Sequence, residues 1–241
     1  MRVLLTSVRC HKGEIETNLV RHRDLHVDAT AADCDLLLMP EMSLTGYLAA
    51  GAIGLDDAAV AEVVGLTRDG PAVCFGLVER PAGDGLPWIT QVTAARGEVL
   101  SVHRKAHLGE DEDRDFAPGP PAGAFELAGV AVSVAVCAEI GVDRAYGVPA
   151  RLVLGPAAPG LYEPRRHDDA AWLRGLDWWR QSVVDDARRL LGPEQWLAVS
   201  TQAGATVDED FPGWAALVGP GGRVVAELPD WREATLAVDI P

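Results

Sequence analysis

Long apolar runs are missing from these 241 residues: none reaches 18, so the sequence offers no membrane-spanning helix. Positive charge is scarce as well. With 21 Lys and Arg against 36 Asp and Glu, the formal net charge is −15. Nucleic-acid binding rests on basic side chains neutralising phosphates, and docking on anionic lipid rests on basic clusters, so neither nucleic acid nor membrane is expected as a partner. Cysteine is sparse too. Cys10, Cys34, Cys74 and Cys137 stand far apart with no CxxC pair, which argues against a thiolate zinc site and reads as free thiols. The opening MRVLLTSVRCHKGE is too short and too soon interrupted for a signal peptide, so a cytoplasmic location is expected. No GxGxxG follows the first apolar run, and neither GxxxxGK[ST] nor GxSxG occurs. These absences argue against a dinucleotide fold, a P-loop and a serine α/β-hydrolase.

What remains is ordinary globular composition, 48% apolar and 24% charged. A chain of this length buries roughly 70–75% of its unfolded surface. It reads as a single domain over residues 1–241. Apolar runs of mostly 4–8 residues, bounded by turn residues, suit buried strands. They include VLLTSV (3–8), DLLLM (35–39), AVCFGLV (72–78), WITQVTAA (88–95), EVLSVH (98–103), VAVSVAV (130–136) and RLVLG (151–155). WLAVST (196–201), WAALVG (214–219), RVVAEL (223–228) and ATLAVDI (234–240) follow. Helical patterns lie at 16–33, at 56–67 with Asp56 and Asp57 as cap candidates, and at 167–191. Pro220-Gly221-Gly222 marks a hairpin turn. Strand and helix alternate early and hairpins follow, an order that fits an α/β or α+β sandwich.

Three of these runs end in a reactive side chain: DLLLMP in Glu41, EVLSVHR in Lys105 and VAVSVAV in Cys137. Ligands of helix-flanked sheets gather at the carboxyl ends of strands, so the three side chains can share one pocket. Their chemistry is coherent. A thiol with a pKa near 8.5 is mostly protonated at neutral pH; a nearby ammonium lowers that pKa and a carboxylate takes the proton. The ammonium and the Ala138 N–H can then hold an oxyanion, contacts worth roughly 3–4 kcal/mol each. Taken singly, each residue has a plainer reading: a buried small hydrophobe for Cys137, a solvated side chain for Lys105, a loop residue for Glu41.

The surrounding segments decide between these readings. MRVLLTSVRCHKGEIETNL with DLLLMPEMSLTGY resembles the opening of the nitrilase superfamily, the carbon–nitrogen hydrolases. HRKAHL (103–108), EDRDFAPG (112–119), VAVSVAVCAEI, GPAA (155–158) and AALVGPGGRVVAEL (215–228) resemble its later segments, in the same order. The resemblance implies a four-layer αββα sandwich, usually homodimeric. It implies Glu41 as general base, Lys105 as oxyanion stabiliser, Cys137 as nucleophile and Glu112 as a second carboxylate that positions substrate and lysine. Glu110 is the weaker claimant for that last role. Ala138 and Glu139 are expected at the substrate. The implied reaction cleaves a linear, non-peptide C–N bond of a small amide or carbamoyl amide through a thioester, with no metal or organic cofactor. The alternatives are an acyltransferase on the same thioester and a non-catalytic binding protein that keeps the fold.

The chain departs from the family pattern in places. CAEIGVDRAYG keeps Glu139 and Arg144 but lacks the usual Pro-Glu, the stretch to Gly155 is short, and Thr201 stands where an Asn is common. Six of seven tryptophans follow residue 170; Trp178 and Trp179 are expected in packing, with a pocket wall as the sharper reading. His22 and His26 read as an exposed helix face rather than a metal pair, and His103 with His107 is no stronger. A papain-type pair would need His107 or His167 beside Cys137.

Overall fold

The computed structural model describes residues 1–160, 169–228 and 232–241. Among them the chain runs through β1 (Arg2–Val8), α1 (Ile15–Ala31), β2 (Leu36–Leu38), α2 (Ala58–Leu66), β3 (Ala72–Glu79), β4 (Trp88–Ala95) and β5 (Glu98–Arg104). It continues through β6 (Phe125–Leu127), β7 (Val130–Val134), β8 (Leu152–Ala157), α3 (Asp169–Leu190), β9 (Trp196–Ala205) and β10 (Asp210–Pro212). β11 (Ala215–Gly219), β12 (Arg223–Glu227) and β13 (Ala234–Asp239) complete it. The three helical patterns of the sequence correspond to α1, α2 and α3. His167, Asp168 and Trp231 lie outside the described residues. Asp57, not Asp56, caps α2: its carboxylate accepts from the Ala59 N–H at 2.9 Å.

The strands form two wings. One has the order β5-β4-β3-β2-β1, with β13 antiparallel to β1; the other has β6-β7-β8-β9, extended by β11 and β12. They join at a corner where Ser7 and Val8 pair with Thr201 and Gln202. Side chains alternate between the two faces of a strand, and this period of two builds the layers. Val3, Leu5, Leu36 and Leu38 of the first wing share one buried cluster with Leu152, Leu154, Ala198 and Leu217 of the second. The intervening Leu4, Leu37 and Val73 face the other way and are covered by Leu19 and Leu25 of α1 and Val60 and Val63 of α2. Val153, Leu197 and Val199 are covered in turn by Leu176, Trp179 and Val183 of α3. The result is the helix–sheet–sheet–helix order of an αββα sandwich.

Two features differ from the sequence reading. β6 and β10, three residues each, carry too little apolar pattern to be read as strands. His22 and His26 are buried, not an exposed face. His22 Nδ1 donates to the Asn18 carbonyl at 2.8 Å and Nε2 meets Ser43 Oγ at 3.2 Å. Burial pushes its pKa down to about 4, so the ring is neutral. His26 instead meets the Pro71 carbonyl at 3.2 Å.

Candidate active site

The turn after β2 places Glu41. Met42 has φ of +51°, and the bend closes onto β3 through the Leu44 N–H to the Gly76 carbonyl at 2.8 Å and the Gly76 N–H to Ser43 Oγ at 3.1 Å. Only glycine admits this approach, since a Cβ at residue 76 would stand 2.3 Å from the Met42 nitrogen. Glu41 is completely buried. Its Oε2 accepts from the Ala158 N–H at 2.8 Å, and its carbonyl accepts from Gln202 Nε2 at 2.8 Å.

Lys105 enters from the end of β5, and its side chain is completely buried. Its Nζ donates to Glu41 Oε1 at 2.8 Å and to Glu112 Oε1 at 2.9 Å. Glu112 sits in a short 3₁₀ turn (Glu112–Arg114), where Oε1 also accepts from the Tyr47 hydroxyl at 2.7 Å and Oε2 from the Gly109 N–H at 2.5 Å. The segment then returns to the lysine: the Gly119 N–H donates to the Lys105 carbonyl at 2.8 Å. A Cβ at residue 119 would lie 2.3 Å from the Arg104 carbonyl oxygen, which explains the glycine that ends FAPG.

Cys137 follows β7 at the start of a 3₁₀ turn (Cys137–Gly141). Its φ of +48° is in the left-handed region, a strain of about 1–3 kcal/mol for a residue with a Cβ. The half-buried thiol opens onto a cavity of about 480 Å³, walled by Tyr47, Lys105, Glu112, Ala138, Trp178 and Trp179. The mouth carries Glu110, Asp208 and Glu209, and Lys12 binds Asp208 at 2.6 Å and Glu209 at 2.5 Å. Lys12 and Lys105 are the chain's two lysines; Lys105 lines the cavity and Lys12 pairs with two residues of its lining.

Burial and charge set the protonation states. Burial raises Glu41, Lys105 opposes and Glu112 adds to the rise, leaving Glu41 pushed up to about 7. Burial and then Glu41 push the Cys137 thiol up, against the pull of Lys105. For Lys105, burial works downward, but Glu41, Cys137 and Glu112 outweigh it and hold the ammonium charged. The resting site is therefore a neutral thiol, a charged lysine and, above pH 7, a Glu41 carboxylate.

The structure brings Glu41, Lys105, Glu112, Cys137 and Ala138 to one cavity. Glu139 is a correction. It lies outside this cavity, and its carboxylate is occupied by internal donors: the Val136 N–H at 2.8 Å, the Ala106 N–H at 2.7 Å and His103 Nε2 at 2.7 Å. Trp178 and Trp179 do form a cavity wall, and Trp179 is at once core and wall. Thr201 is turned to Trp179, whose Nε1 donates to Thr201 Oγ1 at 3.1 Å. His107 and Arg144 line a separate small pocket with Glu139, and His167 is outside the described residues. The sequence reading missed Tyr47 and Gln202. Tyr47 had a signal, the close of EMSLTGY six residues after Glu41; Gln202, 161 residues from Glu41, had none. Among the described residues, no group of three or more His, Cys, Asp or Glu side chains is placed to hold a metal ion.

The chain has relatives among known proteins. The carbon-nitrogen hydrolase family model matches residues 4–151. The chain is 28% identical over 252 residues to a glutamine-dependent NAD(+) synthetase of Rhodobacter capsulatus, covering 99% of this chain but 43% of that protein. The chain thus spans less than half of that relative's length. It is 24% identical over 226 residues to a 2-oxoglutaramate amidase of Bacillus subtilis, covering 86% and 79%. Among solved structures, it resembles a mutant of the amidase from Nesterenkonia sp. AN1 carrying acrylamide added at its active-site cysteine. That match has a TM-score of 0.82 and 27% identity, covering 100% of this chain and 93% of the amidase. The matched stretch runs from β1 to the edge of β8 and includes Glu41, Lys105, Glu112 and Cys137, so the chain belongs to the carbon-nitrogen hydrolase family.

Proposed function

We propose that this protein is a thiol amidase, hydrolysing a small linear carboxamide to a carboxylic acid and ammonia. The observation that carries the reading is one buried ammonium, Lys105, held between the carboxylates of Glu41 and Glu112 in the same cavity as a thiol on a left-handed backbone. In the first half-reaction, Cys137 Sγ attacks the amide carbon while its proton passes to Glu41. The carbonyl oxygen becomes an oxyanion facing Lys105 Nζ and the Ala138 N–H. The tetrahedral centre collapses, the C–N bond breaks, Glu41 returns the proton to the leaving nitrogen, and ammonia departs from a thioester. In the second half, water gives a proton to Glu41 and attacks the thioester carbon. The C–S bond breaks, the thiolate recovers the proton, and the acid leaves. Glu41 handles a proton in both halves, and a pKa near 7 suits that task.

The Bacillus subtilis relative is a 2-oxoglutaramate amidase, which supports an amide substrate, as does the acrylamide added at the cysteine of the structural neighbour. A homodimer in the cytoplasm is part of the proposal. Leu173 and Trp178 on α3 are large apolar side chains left about half exposed in the single chain. The test is ammonia release from a panel of small amides, carbamoyl amides and nitriles, comparing wild type with Cys137→Ala. Turnover on amides that vanishes in the variant supports the proposal. No turnover on any member, or turnover that survives the substitution, overturns it.

A further inference from the structure

The ammonium and the thiol that share the cavity come from different wings. Lys105 follows β5 in the first wing and Cys137 follows β7 in the second, and these strands share no ladder. One side chain bridges them. Glu139 Oε1 accepts from the Ala106 N–H at 2.7 Å and the His107 N–H at 3.3 Å, both just past Lys105. Its Oε2 accepts from the Val136 N–H at 2.8 Å, just before Cys137, and from His103 Nε2 at 2.7 Å, two residues before Lys105. Both side chains are buried, at 6% exposure each. Burial works to raise the Glu139 pKa, but His103 and the backbone donors prevail and lower it, so the bridge is a carboxylate at neutral pH.

We propose that Glu139, braced by His103, is a positioning residue that fixes the Cys137 thiol against the Lys105 ammonium, and that it never touches substrate. The proposal rests on the reading of Cys137 and Lys105 as the reacting groups. Four donors converge on one carboxylate, so a neutral amide of the same shape cannot serve them: its NH₂ would face N–H groups. A displacement of about 1 Å between reacting groups is enough to slow an enzyme about 100-fold.

The test is Glu139→Gln in the whole protein, read by kcat, KM, melting temperature and the rate of Cys137 alkylation by iodoacetamide. The expected result is a kcat lower by about 100-fold, a KM within about threefold, and alkylation slowed in parallel. The His103 pair gives an independent reading: His103→Leu removes the brace and lowers kcat, while His103→Gln, which keeps an N–H near the Nε2 position, restores most of the loss. A merely structural role predicts the opposite pattern. Melting temperature would fall while kcat per folded molecule and the alkylation rate stayed at wild-type values, and that result overturns the proposal. Should Glu139→Gln not fold, the His103 pair decides, and equal rates for its two variants refute the brace. Should wild type hydrolyse no amide, the proposed function fails, and the alkylation rates still decide whether Glu139 positions the thiol.

Discussion

Replacing Glu112 by Gln removes one negative charge from a site that holds two carboxylates on a single ammonium. The Glu41 and Glu112 oxygens reach the same Lys105 Nζ at 2.8 and 2.9 Å, so they lie within about 6 Å of each other. At an effective dielectric of about 20, two unit charges at that distance repel by about 3 kcal/mol, equivalent to about two pH units. Part of the rise of Glu41 to about 7 comes from this repulsion, after the larger contribution of burial. In the proposed mechanism Glu41 acts as a carboxylate, so activity is present above its pKa and is lost as pH falls through it. In Glu112→Gln the acid limb of kcat/KM therefore moves down by about one to two pH units. The plateau falls as well. Lys105, Tyr47 and the Gly109 N–H lose a charged acceptor, a loss of about 1.5–3 kcal/mol or roughly 10–150-fold in rate. The assay is ammonia release at limiting and saturating amide from about pH 5 to 9. An acid limb that stays in place or moves up refutes the assigned electrostatics, whatever happens to the plateau.

Tyr47→Phe removes one donor from Glu112 and leaves Lys105 in place. It is expected to lower kcat by about tenfold with the melting temperature nearly unchanged, checked by steady-state kinetics and thermal unfolding. Gly76→Ala places a Cβ 2.3 Å from the Met42 nitrogen under the Glu41 turn, so it should lower the melting temperature by several degrees and abolish activity. Asp57→Ala, distant from the site, should cost about 1 kcal/mol of stability by denaturant unfolding and leave kcat alone.

The strands were legible as short apolar runs, and the four-layer order only through the family resemblance. Leu36, Leu37 and Leu38 alternate between the central core and the α1–α2 layer, and runs of this kind announce a strand covered on both faces. Glu41, Lys105 and Cys137 were legible as candidates because each follows such a run, and as a set through the resemblance of the segments around them. Glu112 became legible only through the resemblance of EDRDFAPG to the family, a segment that ends in Gly119, the glycine enforced by the Arg104 carbonyl. The role of Glu139 was not legible. Being two residues from the thiol suggests substrate contact, whereas its position in the turn points it away from the cavity at the Lys105 segment, more than 30 residues distant in sequence. The two histidines of α1 misled for a related reason. Spacing of four puts them on one face, and nothing local reveals that the face is the buried one, closed by Ser43 and Pro71. Contacts between segments far apart in the chain leave no local pattern in composition or periodicity.

The most direct test of the central claim is the stoichiometry of inactivation by a haloacetamide, followed by peptide mapping. The four cysteines are free thiols, and Cys10, Cys34 and Cys74 are buried while Cys137 opens to the cavity. The account predicts that ammonia release is lost in step with modification of Cys137 alone, at one equivalent per chain, and that excess amide substrate slows both. Activity that persists after Cys137 is fully modified, or that is lost with modification of another cysteine, would contradict it.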